Sequence, residues 1–504
     1  HGDYSTNIAM QLSKELRKKP LEIAESITVN IKDTKLVDEI KIVKPGFINF
    51  IINKKVLFEI IPQIIDEGNS FGKSEEGIGQ KVNVEFASIN PTGKIHLGHA
   101  RGSAYGDNLC RILEFAGYNV DREYYINDGG NQIDNLGVSI KERYRGLCGL
   151  EEKMPEDGYY GKEITEIAQT IYEKENNKVI DKEVNYFKEI GLSELLNNIK
   201  KDLSTFRVEF DIWTSEREIR SAGKIEEALA TLSKLSKTYE QEGALWLKSS
   251  IYGDDKDRVL TKSDGEYAYI TPDIAYHLDK LNRGYDLLID VLGADHHGYV
   301  PRLKAAIEAL GYEKEKLEVK IIQMVRMIKN SEEIKMSKRT GNAVTVNDLI
   351  DEIGVDASRY YFAMRNIDTQ MDLDLDLAIK KSNENPFYYV GYAHARICSI
   401  LRSINFENNC DTFETIDSPH AYNVLLKLQE FREVVEISAN KRMPHVITNY
   451  VYELSNLFHI YYSSERIITD DEKYSAERIN FIKAVKITIK NALNLIGVEA
   501  PEKM

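Results

Sequence analysis

His96 and His99 are the residues of this 504-residue chain best placed for chemistry, in the run Asn90-Pro91-Thr92-Gly93-Lys94-Ile95-His96-Leu97-Gly98-His99. Before them, Lys81–Phe86 alternates Val82, Val84 and Phe86 with Asn83 and Glu85, the period of a strand with two unlike faces. After them, Leu109, Ile112, Leu113 and Ala116 recur at helical spacing, and Gly117 supplies a stop. A strand therefore passes through a Pro/Gly turn into a helix, with both imidazoles near the helix N-terminus. Free backbone N–H groups and the helix dipole favour an anion there. Gly98, Gly102 and Gly106, four apart, would leave one helix face bare enough for a flat base or ribose. Taken alone, an HxGH pattern fits two surface histidines at a turn equally well.

A second run, Lys335-Met336-Ser337-Lys338-Arg339-Thr340-Gly341-Asn342, sets two lysines three apart in a polar loop. It follows the apolar, strand-like Ile321, Ile322, Met324 and Val325. Alone it reads as a solvated basic loop. With the histidines it forms a set of donors and cations. Activating a carboxylate with ATP needs such a set, because in-line attack at the α-phosphorus builds charge on the departing pyrophosphate. No Ser/His/Asp order and no HExxH motif competes. Asp295-His296-His297 suggests a metal at first sight, but no third ligand recurs nearby, so a substrate or adenosine pocket is the better reading and no protein metal site is expected.

The early HxGH turn and the late KMSK loop, set among parallel-strand patterns, resemble the paired signatures of class I aminoacyl-tRNA synthetases. The wider wording resembles the arginyl-tRNA synthetase family: Asn90–Gly93, His99-Ala100-Arg101-Gly102, Arg122-Glu123-Tyr124-Tyr125-Ile126-Asn127-Asp128, and Gly293-Ala294-Asp295-His296-His297-Gly298. The resemblance runs over essentially the whole chain. Departures are Leu97 for the usual Ile, Arg339 for the last Ser of the loop signature, and Lys94 where many relatives carry Pro. The resemblance implies catalytic roles for His96, His99, Lys335 and Lys338. It implies an ATP site including Gly98, Gly102, Asp295, His296 and Met336 with those four. It also implies an arginine site of Glu85, Ser88, Asn90, Tyr269, Asp273 and His297. A guanidinium calls for carboxylates and planar acceptors, which Glu85, Asp273 and Asn90 supply. Without the resemblance these residues read as a strand-end Glu, a packing Tyr and a helix-start Asp.

The activity implied is arginine–tRNA ligation: arginyl-adenylate and pyrophosphate form first, then the arginyl group passes to the 2′-hydroxyl of the tRNA's terminal adenosine. Alternatives are a class I synthetase for another amino acid, or a catalytically silent paralogue that binds tRNA. ATP enters as a substrate, with Mg²⁺ held through its phosphates and water. The expected partners are arginine tRNA, L-arginine and ATP, with no DNA and no membrane. A monomer in the cytoplasm is expected.

Lys and Arg number 66 against 81 Asp and Glu, a net charge of −15, which disfavours indiscriminate nucleic-acid binding but not a local basic footprint. No apolar run approaches the roughly 20 residues that span a bilayer. Cys110, Cys148, Cys398 and Cys410 are scattered without CxxC spacing, so neither a disulfide framework nor a zinc knot is suggested.

The elements that must position these residues read as an α/β fold: a doubly wound parallel nucleotide-binding sheet with an N-terminal α+β domain and a C-terminal helical bundle. Residues 1–79 read as the N-terminal additional domain, helical over Tyr4–Leu16 with strands over Ile40–Ile52. By resemblance this domain contacts tRNA, and Arg17, Lys18 and Lys19 could touch its phosphates. The chain opens on His1 where the family's members begin further upstream, so a truncated N-terminus is expected. Residues 80–372 read as the catalytic domain. A Lys/Glu-rich helical insertion covers about 151–230, with no editing domain evident in it. Ala244–Ile270 is strand-like, with a turn at Ser263-Asp264-Gly265. Thr271-Pro272-Asp273 reads as N-cap, first helical proline and first-turn acid. Leu287–Leu292 is a short strand, and Pro301 opens a helix that stops at Gly311. Residues 373–504 read as a helical anticodon-binding domain. Beyond Asn385 only Gly391 and Gly497 remain of 31 glycines, and the periodicity is helical throughout. The closing Gly497–Met504 resembles the family's natural end.

Overall fold

The computed structural model describes residues 2–31, 35–334, 344–404, 410 and 413–504. Its central sheet has five parallel strands: β1 (Lys81–Glu85), β2 (Asn119–Ile126), β3 (Ile212–Ser215), β4 (Leu287–Gly293) and β5 (Leu317–Ile322). They lie in the order β5-β4-β1-β2-β3. Chain direction across the sheet reverses between β1 and β4, so the C-terminal ends of those two strands open a crevice. Val82 and Val84 on β1 are fully buried, and so is Asn83 opposite them, as befits a strand covered on both faces.

Helix α1 (Leu97–Phe115) leaves β1 through the Pro/Gly turn and returns along the sheet. Its Gly106 is packing, not ligand space: a Cβ there would stand 2.1 Å from the Phe86 ring. The bare face expected from three glycines is thus filled at Gly106 and approached at Gly98 by the His96 ring, 3.3 Å from where a Cβ would stand, so of the three only Gly102 keeps space beside it. Helix α2 (Ile270–Asn282) feeds β4. It starts two residues earlier than the sequence suggests, with Tyr269 at the cap position. Thr271 is buried and its hydroxyl donates to the Leu260 carbonyl at 2.6 Å, so it ties the helix to a strand and does not cap it.

Strand β3 falls inside the stretch read as insertion. The inserted material proper is the helices Lys162–Glu175 and Val184–Thr205, packed on Asn131–Leu147 around Leu136, Ile140, Tyr144 and Phe187. A three-stranded antiparallel sheet (Thr238–Gln241, Ala244–Leu247, Arg258–Thr261) precedes α2. At the N-terminus, Tyr4–Thr6 is a strand paired with Phe50, Asn49 and Ile48, and the helix begins only at Ile8. This antiparallel sheet packs with two helices on its own small core of Ala9, Ile23, Ala24 and Ile48.

Among the described residues, five helices follow Asn385, whose side chain accepts from the Phe387 and Tyr388 N–H groups and so starts the first of them. They share one core with the catalytic half. Phe431 stacks on Phe71 at 5.9 Å, and the Tyr105 hydroxyl donates to the Arg442 carbonyl at 2.8 Å. Arg359, fully buried, pairs with Asp107 and donates to Asn108 and to the carbonyls of Phe206 and Ile496, at 2.7, 3.0 and 3.1 Å.

Candidate active site

His96 occupies the N-cap position of α1 in extended conformation, so its ring and that of His99, one turn on, stand together. The rings stack with centroids 3.6 Å apart and planes 25° from parallel. Burial lowers the His96 pKa. Burial and then the neighbouring His96 bring that of His99 down to about 3. Both imidazoles are therefore neutral at pH 7, and the buried Nδ1 of His99 has no hydrogen-bond partner among the described residues. A stacked, neutral, partly unsatisfied pair at a helix N-terminus is suited to an incoming anion. Lys335, Met336 and Lys338 lie outside the described residues. The chain beyond them comes back to the histidines: Thr345 bridges His96, and the Val346 N–H donates to the Ile95 carbonyl at 2.8 Å.

The acid-rich side of the crevice is organised by register. Asp290 on β4, Glu85 on β1 and Glu123 on β2 are direct lateral neighbours, three acids in a row across three strands. All are buried. Such a row is costly unless cations are supplied. The helix α2 and its C-cap supply them at successive turns. His277 Nε2 lies 2.8 Å from Asp290, and Lys280 Nζ lies 2.5 Å from Glu85 and 3.1 Å from Asp290. Arg283 donates to both oxygens of Glu123 at 2.9 and 2.8 Å. The other His277 nitrogen lies 2.7 Å from the Asp273 carbonyl, so both nitrogens face acceptors, an arrangement that favours the doubly protonated ring. Burial opposes that charge, but Asp290 outweighs it and the His277 pKa is raised.

The remaining predicted residues sit around this row. Ser88 follows Ala87 in a turn where both have positive φ, 36° and 65°. Its hydroxyl donates to Glu85 at 3.0 Å and accepts from the Tyr125 N–H at 3.1 Å, which holds the strained turn. Asn90 accepts from Asn127 at 3.1 Å and donates to Gln132 at 3.3 Å. Asp273 takes a short hydrogen bond from Tyr299 and has no Lys or Arg partner among the described residues. Burial pushes its pKa up to about 6, with Tyr299 and His277 opposing. Tyr269 is 78% exposed and meets Tyr299 edge-on at 6.4 Å. Asp295 and His296 are exposed and 3.4 Å apart. His297 lines a cavity of about 370 Å³ with Lys320, Gln323, Asp368, Lys441 and Arg442, and none of the acids above lines it. Sequence reading missed His277, Lys280, Asp290, Tyr299 and Glu216, the last buried and held by Arg220 at 2.6 Å. A signal existed for two of them: Asp273, His277 and Lys280 at i, i+4 and i+7 share one face of α2.

A class I nucleotide-binding sheet with an HxGH turn at its switch point and a trailing helical bundle defines a class I aminoacyl-tRNA synthetase. Family models match on this pattern: "tRNA synthetases class I (R), catalytic domain" over residues 60–382, "DALR anticodon binding domain" over 390–504, and "Arginyl tRNA synthetase N terminal domain" over 1–52. The arginine–tRNA ligases of Bacillus licheniformis and Bacillus subtilis are each 52% identical over all of this chain and 92% of theirs. The crystal structure of a Campylobacter jejuni arginyl-tRNA synthetase is similar with a TM-score of 0.84 at 34% identity, over 90% of this chain and 100% of that one. The Thermus thermophilus arginyl-tRNA synthetase shares the fold, with a TM-score of 0.81 at 22% identity over 100% and 95% of the two chains. The chain belongs to the arginine–tRNA ligase family.

Proposed function

We propose that this protein joins L-arginine to arginine tRNA at the expense of ATP, with the crevice between β1 and β4 as its active site. The ligase class follows from family membership. The observation that carries the substrate reading is the unpaired Asp273 carboxylate among Glu85, Tyr269 and Tyr299, beside the neutral His96–His99 pair. A guanidinium brings five donors and a fixed positive charge, and a half-buried carboxylate without a Lys or Arg partner is its natural counterpart.

In this reading the arginine carboxylate attacks the α-phosphorus of ATP and pyrophosphate leaves. The His96 and His99 N–H groups and the N-terminus of α1 stabilise charge on the phosphates, with Lys335 and Lys338 completing the set. Gly102 leaves room on α1 for the nucleotide, Gly98 presents its backbone beside the His96 ring, and Asp295 and His296 border the adenosine. Mg²⁺ arrives with ATP, held by its phosphates and water. Ser88, Asn90 and Asp273 orient the amino acid, and Tyr269 closes over it. The terminal adenosine's 2′-hydroxyl then attacks the arginyl carbonyl and AMP leaves. The N-terminal domain (residues 1–79) and the helical half (residues 373–504) hold the tRNA. The enzyme works as a cytoplasmic monomer.

The test is pyrophosphate exchange with tRNA present, comparing arginine with citrulline, which has the same shape and no charge. Arginine alone should support exchange, with discrimination of about 10⁴-fold or more. Equal use of citrulline would end the charge-reading account.

A further inference from the structure

The row of three acids and the three cations of α2 divide the labour between the two carboxylates expected to read the guanidinium. Glu85 is not a free anion. Its Oε2 lies 2.5 Å from Lys280 Nζ, its Oε1 accepts from Ser88, and it sits in register between Asp290 and Glu123. Lys280 is fully buried, with its ammonium also 4.3 Å from the centre of the Tyr276 ring. His277 serves Asp290 and Arg283 serves Glu123, so each acid of the row has its own cation. Glu216, the other acid near Asp273, is held by Arg220. Asp273 stands outside this pairing. The groups facing it are the Tyr299, Tyr269 and Tyr125 phenols, the His277 ring on its own helix, Glu85 and Glu216.

Resting on the reading above that arginine is the substrate, we propose that Lys280 is a positioning and specificity-determining residue: it neutralises Glu85 from behind and fixes it as an oriented acceptor, so that Asp273 alone supplies the net negative charge that selects arginine. Two lateral acids without Lys280 would share a proton or swing apart, and the acceptor geometry at the end of β1 would be lost. The cation therefore sharpens selection of a cation, because it leaves one unmatched charge in the site, that of Asp273, instead of two.

The test compares full-length variants by their KM for arginine, KM for ATP and kcat in tRNA charging. Asp273→Asn should raise the arginine KM about 100-fold or more and leave the ATP KM nearly unchanged, as the loss of a buried charge partner. The double variant Lys280→Met/Glu85→Gln removes the pair as a neutral unit and should raise the arginine KM no more than about tenfold. Lys280→Met alone should be worse than the double variant, with Glu85→Gln restoring part of the loss. An arginine KM in the double variant raised as far as in Asp273→Asn, with its melting temperature intact, would overturn the proposal.

A second measurement needs no variant. The acid limb of kcat/KM for arginine in the unmodified enzyme should follow one proton, falling tenfold per pH unit. A hundredfold fall per unit would mean that a second acid takes part with Asp273 in selecting arginine, and would also overturn the proposal. Failure of the unmodified enzyme to use arginine at all would instead strike the functional reading itself.

Discussion

His96 and His99 lie ring on ring, 3.6 Å between centroids, at the first turn of α1. Burial disfavours a proton on both rings, and His96 further disfavours one on His99, so in the proposed reaction both meet ATP neutral and act as N–H donors to phosphate. Replacing either by Ala should cut the activation rate about 10²–10³-fold with little change in KM for ATP, since donors of this kind act on the transition state. Lys338→Ala should behave alike and Lys94→Ala should cost less. Pyrophosphate exchange with arginine and tRNA measures this, and near-normal rates in His99→Ala would contradict it.

The depressed His99 pKa has a stability consequence. An unfolded His titrates near 6.5 and the folded one at about 3, so between these values the unfolded state binds more protons. Stability therefore falls as pH drops from about 6.5 towards 3. His99→Gln should flatten part of that fall, read as denaturation midpoints at pH 7.5 and 5.5. An unchanged pH slope would contradict the burial of this ring.

Asp273 has the opposite sign. Burial raises its pKa to about 6 from an ordinary 3.8, so the folded protein holds the extra proton between these values. A guanidinium needs the carboxylate, so kcat/KM for arginine should fall below pH 6 while the ATP dependence stays flat. Asp273→Asn should abolish that acid limb along with most arginine affinity. A limb that survives in Asp273→Asn would place the titrating group elsewhere.

Gly106 is a packing glycine. Gly106→Ala drives a methyl into the Phe86 ring and should destabilise the protein by about 1–3 kcal/mol. Phe86→Leu in the same chain should recover part of that loss. Thermal unfolding measures both, and an unchanged midpoint in Gly106→Ala would contradict the close approach of α1 to the end of β1.

Local features of the chain were legible because local patterns write them. The alternation before His96, the helix after it and the run of helices beyond Asn385 all appear where the periodicity puts them. Tyr4–Thr6 was read as helix because its strand partner, Ile48–Phe50, lies more than forty residues on. Strand β3 was lost in a Lys/Glu-rich stretch because four residues carry too little pattern. Lys280 gains its role only through pairing with Glu85, 195 residues away. The helical half reads as a separable module, yet Phe431, Arg442 and Ile496 share the catalytic half's core and hydrogen bonds. Truncation before Asn385 should therefore unfold the catalytic half as well as lose tRNA binding.

The central claim is that this crevice selects arginine for tRNA. Its most direct test is charging of total tRNA by the full-length protein with ATP and each of the twenty amino acids in turn, followed as acid-precipitable label. Arginine alone should be attached, and Asp273→Asn should lose that attachment at low arginine concentration and recover it in part at high. Attachment of a different amino acid, or of none with tRNA and ATP both present, would contradict the account.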